Sequence, residues 1–98
     1  MPIFAIQLMH SVESCPLYNA DNKKKLKQLS SKKEELKVKY QINILTEVVN
    51  KLEHLITIVL EAPGYNAVES YLNDVGYAFY NKIEVREVEF VDKVIKTL

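Results

Sequence analysis

The stretch His54–Ala62, HLITIVLEA, is apolar on both of its alternating faces. In an extended strand, successive side chains point to opposite sides. One side of this strand would carry Ile56, Ile58 and Leu60, and the other side would carry Leu55, Thr57 and Val59. A strand with a single buried face alternates apolar and polar residues, so this strand is predicted to lie in the middle of a sheet. We expect helices to cover one side and a second copy of the chain to cover the other.

Length and composition limit the organisation of the chain. With 98 residues, 48% of them hydrophobic, the sequence predicts a single domain over residues 1–98. Thirteen basic and thirteen acidic side chains give a formal net charge of zero, which offers no argument for a nucleic acid or a membrane as partner. Lysines are concentrated in residues 23–39, and a solvated helical face explains them better than a phosphate-binding site does.

The cysteine content and the first ten residues of the chain indicate the cellular compartment of the protein. Cys15 is the single cysteine and cannot form an internal disulfide, which favours a reducing compartment. Residues 1–10, MPIFAIQLMH, have no basic leader and are interrupted by Gln7 and His10, so they predict a strand rather than a signal peptide. No apolar run approaches the ~18 residues of a membrane span. We therefore expect a soluble, cytoplasmic protein.

The periodicity of the chain predicts four strands and two helices. The strands are expected at residues 3–9, 41–50, 54–62 and 83–91, and the helices at residues 23–39 and 66–80. Asn66 and Glu69 match a capping box for the second helix, and a change of phase at Arg86 and Glu87 predicts a bulge in the last strand. The tail, residues 91–98, has apolar residues at helical spacing and is expected to pack on its own or a partner subunit.

This order of elements predicts an α+β, ferredoxin-like βαββαβ fold: a four-stranded antiparallel sheet with two helices on one face. The other face would then be left uncovered, and monomers rarely expose a large apolar patch. A homodimer through the sheet face is the simplest cover. Facing sheets would enclose a cavity, for which Gln7, Thr57 and Glu61 are candidate lining residues if their parity faces away from the helices. Tyr65, beside the second helix, is a further candidate.

The chain as a whole resembles the dimeric α+β barrel superfamily. This resemblance implies sheet-to-sheet dimers with pockets used for monooxygenation, isomerisation, haem chemistry or ligand binding. A first strand ending in His10, and a third strand ending in Leu60-Glu61-Ala62-Pro63, are similar to small uncharacterised bacterial and archaeal families of this superfamily. One of those families includes a nickel-binding protein. The end of the second helix carries no histidine here, where metal-binding relatives would be expected to supply one.

The loop after the first strand concentrates reactive side chains. His10, Glu13 and Cys15 offer an imidazole, a carboxylate and a thiol, which are ligands for nickel, zinc or copper. These three residues are therefore candidate metal ligands, although their spacing matches no established metal motif. The same groups could act as base and nucleophile, with His10 as the catalytic candidate. A polar loop with a packed cysteine, or a redox-sensing thiol, are the alternatives.

The second histidine is expected to be remote from this loop. If the first and third strands run parallel, His54 lies at the end of the sheet far from His10. His54 is then predicted to be a solvated strand-end residue that does not join His10 within one subunit.

Three functions follow from these observations. The preferred hypothesis is a homodimer that binds a small ligand or a transition metal near the exit of the first strand. The alternatives are a cofactor-independent monooxygenase or isomerase that uses the cavity, and a structural or regulatory dimer without a ligand. An RNA-recognition module is rejected because the central strands offer Phe4 as their sole aromatic residue for base stacking.

Overall fold

The computed structural model describes all 98 residues, as four strands and four helices. In chain order the elements are β1 (Ile3–Met9), α1 (Ala20–Ser30), α2 (Lys33–Tyr40), β2 (Asn43–Asn50), β3 (Leu55–Glu61), α3 (Tyr65–Asp74), β4 (Lys82–Val88) and α4 (Val91–Ile95). No helix combines the length and the apolar character that crossing a bilayer would require.

The strands form one sheet in the order β2-β3-β1-β4, and every neighbouring pair is antiparallel. This arrangement confirms the predicted α+β, ferredoxin-like fold and the central position of β3. The antiparallel pairing of β1 with β3 also corrects one expectation. Met9 pairs with Leu55, so the end of β1 meets the start of β3, whereas a parallel pairing was the basis for separating His10 from His54.

The core lies on one side of this sheet. Alternate residues of the two central strands are buried against the helices: Phe4, Ile6, Leu8, Ile58 and Leu60. Leu36 of α2 joins them, and α3 contributes Val68, Tyr71 and Leu72. Each strand thus buries one face against a layer of helices, as a two-layer fold requires.

The opposite face of the sheet, here called the open face, carries no helix. Gln7, Thr57 and Glu61 have the parity of this face, as the cavity hypothesis required. Its side chains line up across the four strands in mixed rows, such as Val48, Thr57, Gln7 and Glu84. The open face is therefore more polar than the sequence pattern of three strands with two apolar faces indicated.

The first predicted helix is divided in two. Residues 31 and 32 form a turn between α1 and α2, and the Ser31 hydroxyl donates to the carbonyl oxygen of Gln28 at 2.7 Å. Serine side chains compete in this way with helical hydrogen bonding. Lys33 is the first residue of α2, and its ammonium pairs with the carboxylate of Glu47 of β2.

The second predicted helix ends earlier than expected. α3 stops at Asp74, and Gly76 adopts a left-handed conformation with φ of 98°, which terminates helices. A Cβ at Gly76 would lie 3.0 Å from the Cβ of Leu29, so α1 also approaches this turn closely. The residue before α3 is Gly64, with no side-chain cap, so the predicted capping box at Asn66 and Glu69 is wrong.

Two details at the sheet edges also differ from the expectations. β4 pairs with β1 in unbroken register, and the irregularity lies instead in β2, between Ile44 and Thr46. The tail forms α4, which contains no buried residue. Its apolar side chains are exposed, together with those next to it: Phe90, Val91, Val94, Ile95 and Leu98.

Candidate metal centre

Three potential metal ligands meet where β1 ends and β3 begins. His10 follows β1, His54 precedes β3, and Cys15 lies on the loop between β1 and α1. One ligand atom from each residue lies within 4.8 Å of those of the other two. The antiparallel ladder causes this convergence, because it places the residues flanking Met9 and Leu55 side by side.

The imidazole of His10 is held in a defined orientation. Its Nδ1 lies 2.8 Å from Oδ1 of Asn81, and the side-chain Nδ2 of Asn81 donates to the carbonyl oxygen of Tyr77 at 2.8 Å. Since the second contact fixes the amide, Oδ1 is the atom that faces His10, and Nδ1 must donate the proton. In the neutral imidazole, Nε2 then carries the free lone pair.

Two imidazole nitrogens of the cluster have no hydrogen-bond partner. Nε2 of His10 and Nδ1 of His54 are both buried and both unpaired. Buried polar atoms without a partner are rare and cost about 1–3 kcal/mol each. Together with the buried thiol of Cys15, these two nitrogens form a set of donors that could hold a metal ion.

The thiol is fixed by the turn that carries it. Cys15 is 3% exposed, and its backbone amide donates to the carbonyl oxygen of Val12 at 3.2 Å. The start of α1 secures the same loop, because Asn19 donates to the carbonyl oxygen of Glu13 and Asn22 to that of Ser14. These contacts hold the thiol against the end of the sheet.

His54 occupies an uncommon backbone conformation. Its φ of 53° lies in the left-handed region, which few residues other than glycine adopt. The preceding turn is held by Asn50, whose Oδ1 accepts from the amides of Leu52 and Glu53. Backbone strain of this kind tends to gather at functional sites.

A pocket of about 300 Å³ opens beside the cluster. Its walls include all three candidate ligands and are otherwise mainly apolar, from Pro16, Leu17, Leu26, Val49, Ile56 and Tyr80, with Lys51 as a further lining residue. Ile56 shares the parity of the buried Ile58, so the pocket lies on the helix side of the sheet. It does not belong to the open face, where the cavity was expected.

Tyr80 borders the imidazole of His10, with ring centroids 5.1 Å apart. Burial raises the pKa of the Tyr80 hydroxyl above its ordinary value; a hydrogen bond with Asn81 opposes this shift, and the charge of Cys15 adds to it. The hydroxyl therefore stays protonated beside the cluster.

The predicted site residues divide into three groups. His10 and Cys15 are brought together, whereas the side chain of Glu13 is exposed and outside the cluster. Gln7, Thr57 and Glu61 lie on the open face, and Glu61 accepts a hydrogen bond from Asn43 at 2.7 Å. Tyr65 is half-exposed at the start of α3, in a separate depression beside Leu72 and Ile83.

His54 is the residue that the sequence analysis missed. The ring centroids of His10 and His54 are 5.3 Å apart, which corrects the expectation of a remote, solvated histidine. The predicted order of elements could have indicated this proximity. In this fold the first and third strands are neighbours that run in opposite directions, which places the start of the third strand beside the end of the first.

No protein-family model matches the chain, and no curated protein sequence matches it. Among solved structures, a de novo designed protein with a ferredoxin fold is 11% identical, over 92% of this chain and 86% of that chain, with a TM-score of 0.47. A dimeric ferredoxin-like protein from an uncultured marine organism is 19% identical, over 93% of this chain and 99% of that chain, with a TM-score of 0.47. Similarity at this level does not extend to the site, the assembly or the function.

Proposed function

We propose that this chain binds a transition metal ion through His10, Cys15 and His54. The observation that carries the proposal is the pair of buried, unpartnered imidazole nitrogens beside a buried thiol. A metal ion would satisfy both nitrogens and the thiolate at once. Asn81 would act as the outer partner that orients a metal-binding histidine through its other nitrogen.

The donor set selects the metal. Two imidazoles and a thiolate favour zinc, nickel or copper over magnesium or calcium, which prefer oxygen ligands. Three protein ligands with an open fourth position are the arrangement found in catalytic zinc sites, so we favour Zn²⁺. With bonds of about 2.0–2.3 Å, ligand atoms around a tetrahedral ion lie about 3.5 Å apart, which requires the cluster to close by about 1 Å.

Titration of the metal-free protein tests this proposal. Zn²⁺, Ni²⁺ and Cu²⁺ would be added in competition with a chromophoric chelator to the wild type, His54→Ala, Cys15→Ser and Glu13→Gln. We expect the wild type and Glu13→Gln to bind one Zn²⁺ equally well, and the other two variants to bind at least about 100-fold more weakly. Equal, weak binding by all four proteins would reject the site.

A second candidate is the cofactor-independent enzyme with His10 as general base. The observation in its favour is the contact with Asn81, which in the neutral imidazole makes Nε2 the proton acceptor at the wall of an apolar pocket. The Kemp elimination of 5-nitrobenzisoxazole is a suitable probe, because it requires only a base in an apolar site. Metal-free wild type should exceed the rate of His10→Ala, and Zn²⁺ should inhibit it; equal rates for the two proteins would exclude this role.

We also propose that two copies associate through the open face. Four strands about 4.8 Å apart and seven or eight residues long, at about 3.4 Å per residue, present roughly 450 Å². A stable interface buries about 800 Å² per partner. The exposed apolar side chains of the tail, Phe90 to Leu98, would supply the remaining surface by packing on the partner.

Sedimentation velocity at micromolar concentration tests this association. Val48 is 56% exposed on the open face, and Val38 is 81% exposed on α2. Val48→Asp should yield monomers, and Val38→Asp should sediment like the wild type. A wild-type monomer would reject the dimer, whereas a dimer that binds no metal would favour the structural or regulatory alternative.

Because the free thiol of Cys15 must stay reduced to bind a metal, we place the protein in the cytoplasm.

A further inference from the structure

The pocket beside the proposed metal site has the size of a small organic ligand. Its volume of about 300 Å³ equals roughly ten water molecules at about 30 Å³ each. His10, Cys15 and His54 all line it, so an open coordination position on the metal would face its interior. A ligand in this space could reach the metal and the apolar walls together.

The charges around the pocket favour an anion. No acidic residue lines it, and Lys51 is the one lysine or arginine that does. A Zn²⁺ ion bound to one thiolate and two neutral imidazoles keeps one positive charge. A metal charge inside this otherwise apolar pocket favours a negative ligand over a neutral one, and the exposed ammonium of Lys51 adds to the attraction.

The walls favour an apolar body on the same ligand. Val49 of β2 and Ile56 of β3 are paired side by side in the sheet, and Leu26 of α1 lines the same pocket. Val49 is on the helix side of the sheet yet remains 57% exposed. An apolar group here would cover a surface that the fold leaves uncovered.

We infer that the pocket binds a small monocarboxylate with a compact apolar or aromatic body. The carboxylate takes the open position on the metal and pairs with Lys51, while the body packs on Leu26, Val49 and Ile56. This inference rests on the proposed metal site and goes beyond it by naming the ligand class.

Calorimetry with three probes tests the inference on the full-length, zinc-loaded protein. Benzoate has both the charge and the apolar body, benzyl alcohol has the body alone, and acetate has the charge alone. We expect benzoate to bind at least about tenfold more tightly than either of the others. Zinc-free protein should bind benzoate at least about tenfold more weakly.

Two variants separate the pocket from the metal. Val49→Trp fills the pocket without altering a ligand residue, and Val38→Trp on the exposed side of α2 is its control. Val49→Trp should weaken benzoate binding at least about tenfold while zinc still binds one to one, and Lys51→Met should weaken it by a smaller factor. Zinc binding without benzoate binding in the wild type would overturn this inference alone, whereas failure to bind zinc would overturn the metal site.

Discussion

The backbone amide of His10 donates a hydrogen bond to the carbonyl oxygen of His54, with a nitrogen to oxygen distance of 3.3 Å. This contact extends the β1–β3 ladder one step past the pair Met9 and Leu55. The two imidazoles are therefore brought together by the sheet itself. Both histidines directly flank strands, whereas Cys15 lies farther along the loop between β1 and α1, so the β1–β3 ladder positions two of the three proposed ligands.

Replacement of Asn81 should weaken metal binding without removing a ligand. Asn81→Ala deletes the acceptor that orients the ring of His10, and loss of such an outer partner lowers metal affinity by about 10–100-fold. Asn81→Asp keeps an acceptor for Nδ1 and should bind zinc more tightly than Asn81→Ala. Chelator competition measures both, with Asn66→Ala on α3 as control. Equal affinities for Asn81→Ala and the wild type would show that Asn81 does not orient the ring.

Gly76 should be intolerant of a side chain, in contrast to Gly64. An alanine at position 76 would combine a φ of 98° with a Cβ 3.0 Å from the Cβ of Leu29. We expect Gly76→Ala to lower the free energy of unfolding by about 2 kcal/mol or more. Gly64 has extended backbone, and a Cβ added there would meet nothing within 4 Å, so Gly64→Ala should cost about 1 kcal/mol or less. Urea unfolding measures the free energy of unfolding of both variants, and an equal loss in the two would contradict this prediction.

Much of the fold could be predicted because periodicity reports which residues share a face. The two-sided pattern of residues 54–62 placed this strand at the centre of the sheet, where the structure has it. Helix ends were less predictable. The break at Ser31 depends on a local hydrogen bond to Gln28, whereas the turn that follows α3 depends on the approach of Leu29 to Gly76, two residues far apart in sequence.

The candidate site was predicted in part for a related reason. His10 and Cys15 are neighbours in the sequence, so their clustering was visible without a structure. His54 is distant in sequence and joins them only through the antiparallel pairing of β1 and β3. Glu13 is close to both in sequence, but the turn at Cys15 leaves its carboxylate in solvent.

The pair Lys33 and Glu47 should couple α2 to β2. Both side chains are largely shielded, with 27% and 22% of their surfaces exposed, and Glu47 also accepts a hydrogen bond from Tyr77 at 3.2 Å. A double-mutant cycle with Lys33→Met and Glu47→Gln should give a coupling energy of about 1 kcal/mol. Thermal or urea unfolding measures it. The exposed pair Arg86 and Glu84 should give a smaller coupling energy. An equal or larger coupling energy for that pair would contradict the role of Lys33 and Glu47 in coupling α2 to β2.

Tyr71 and Tyr77 should respond oppositely to loss of the hydroxyl. The hydroxyl of Tyr71 is buried without a partner, so Tyr71→Phe should leave stability unchanged or raise it by about 1 kcal/mol. The hydroxyl of Tyr77 donates to Glu47, so Tyr77→Phe should cost about 1 kcal/mol. Urea unfolding at neutral pH distinguishes the two. A larger loss for Tyr71→Phe than for Tyr77→Phe would indicate that Tyr71 has a partner of its own.

The same two tyrosines should make the fold sensitive to alkali. Burial, and then the charge of Glu47, raise the pKa of both hydroxyls in the folded state above the ordinary value of about 10. Above pH 10 the unfolded chain loses these protons while the folded chain keeps them. The unfolded state then binds fewer protons, so their contribution to stability is complete below about pH 10 and falls as the pH rises, by up to about 1.4 kcal/mol per pH unit for each group. Urea unfolding between pH 8 and 11 should show a shallower decline for the Tyr71→Phe, Tyr77→Phe double variant than for the wild type. An identical decline would mean that other groups govern alkaline unfolding.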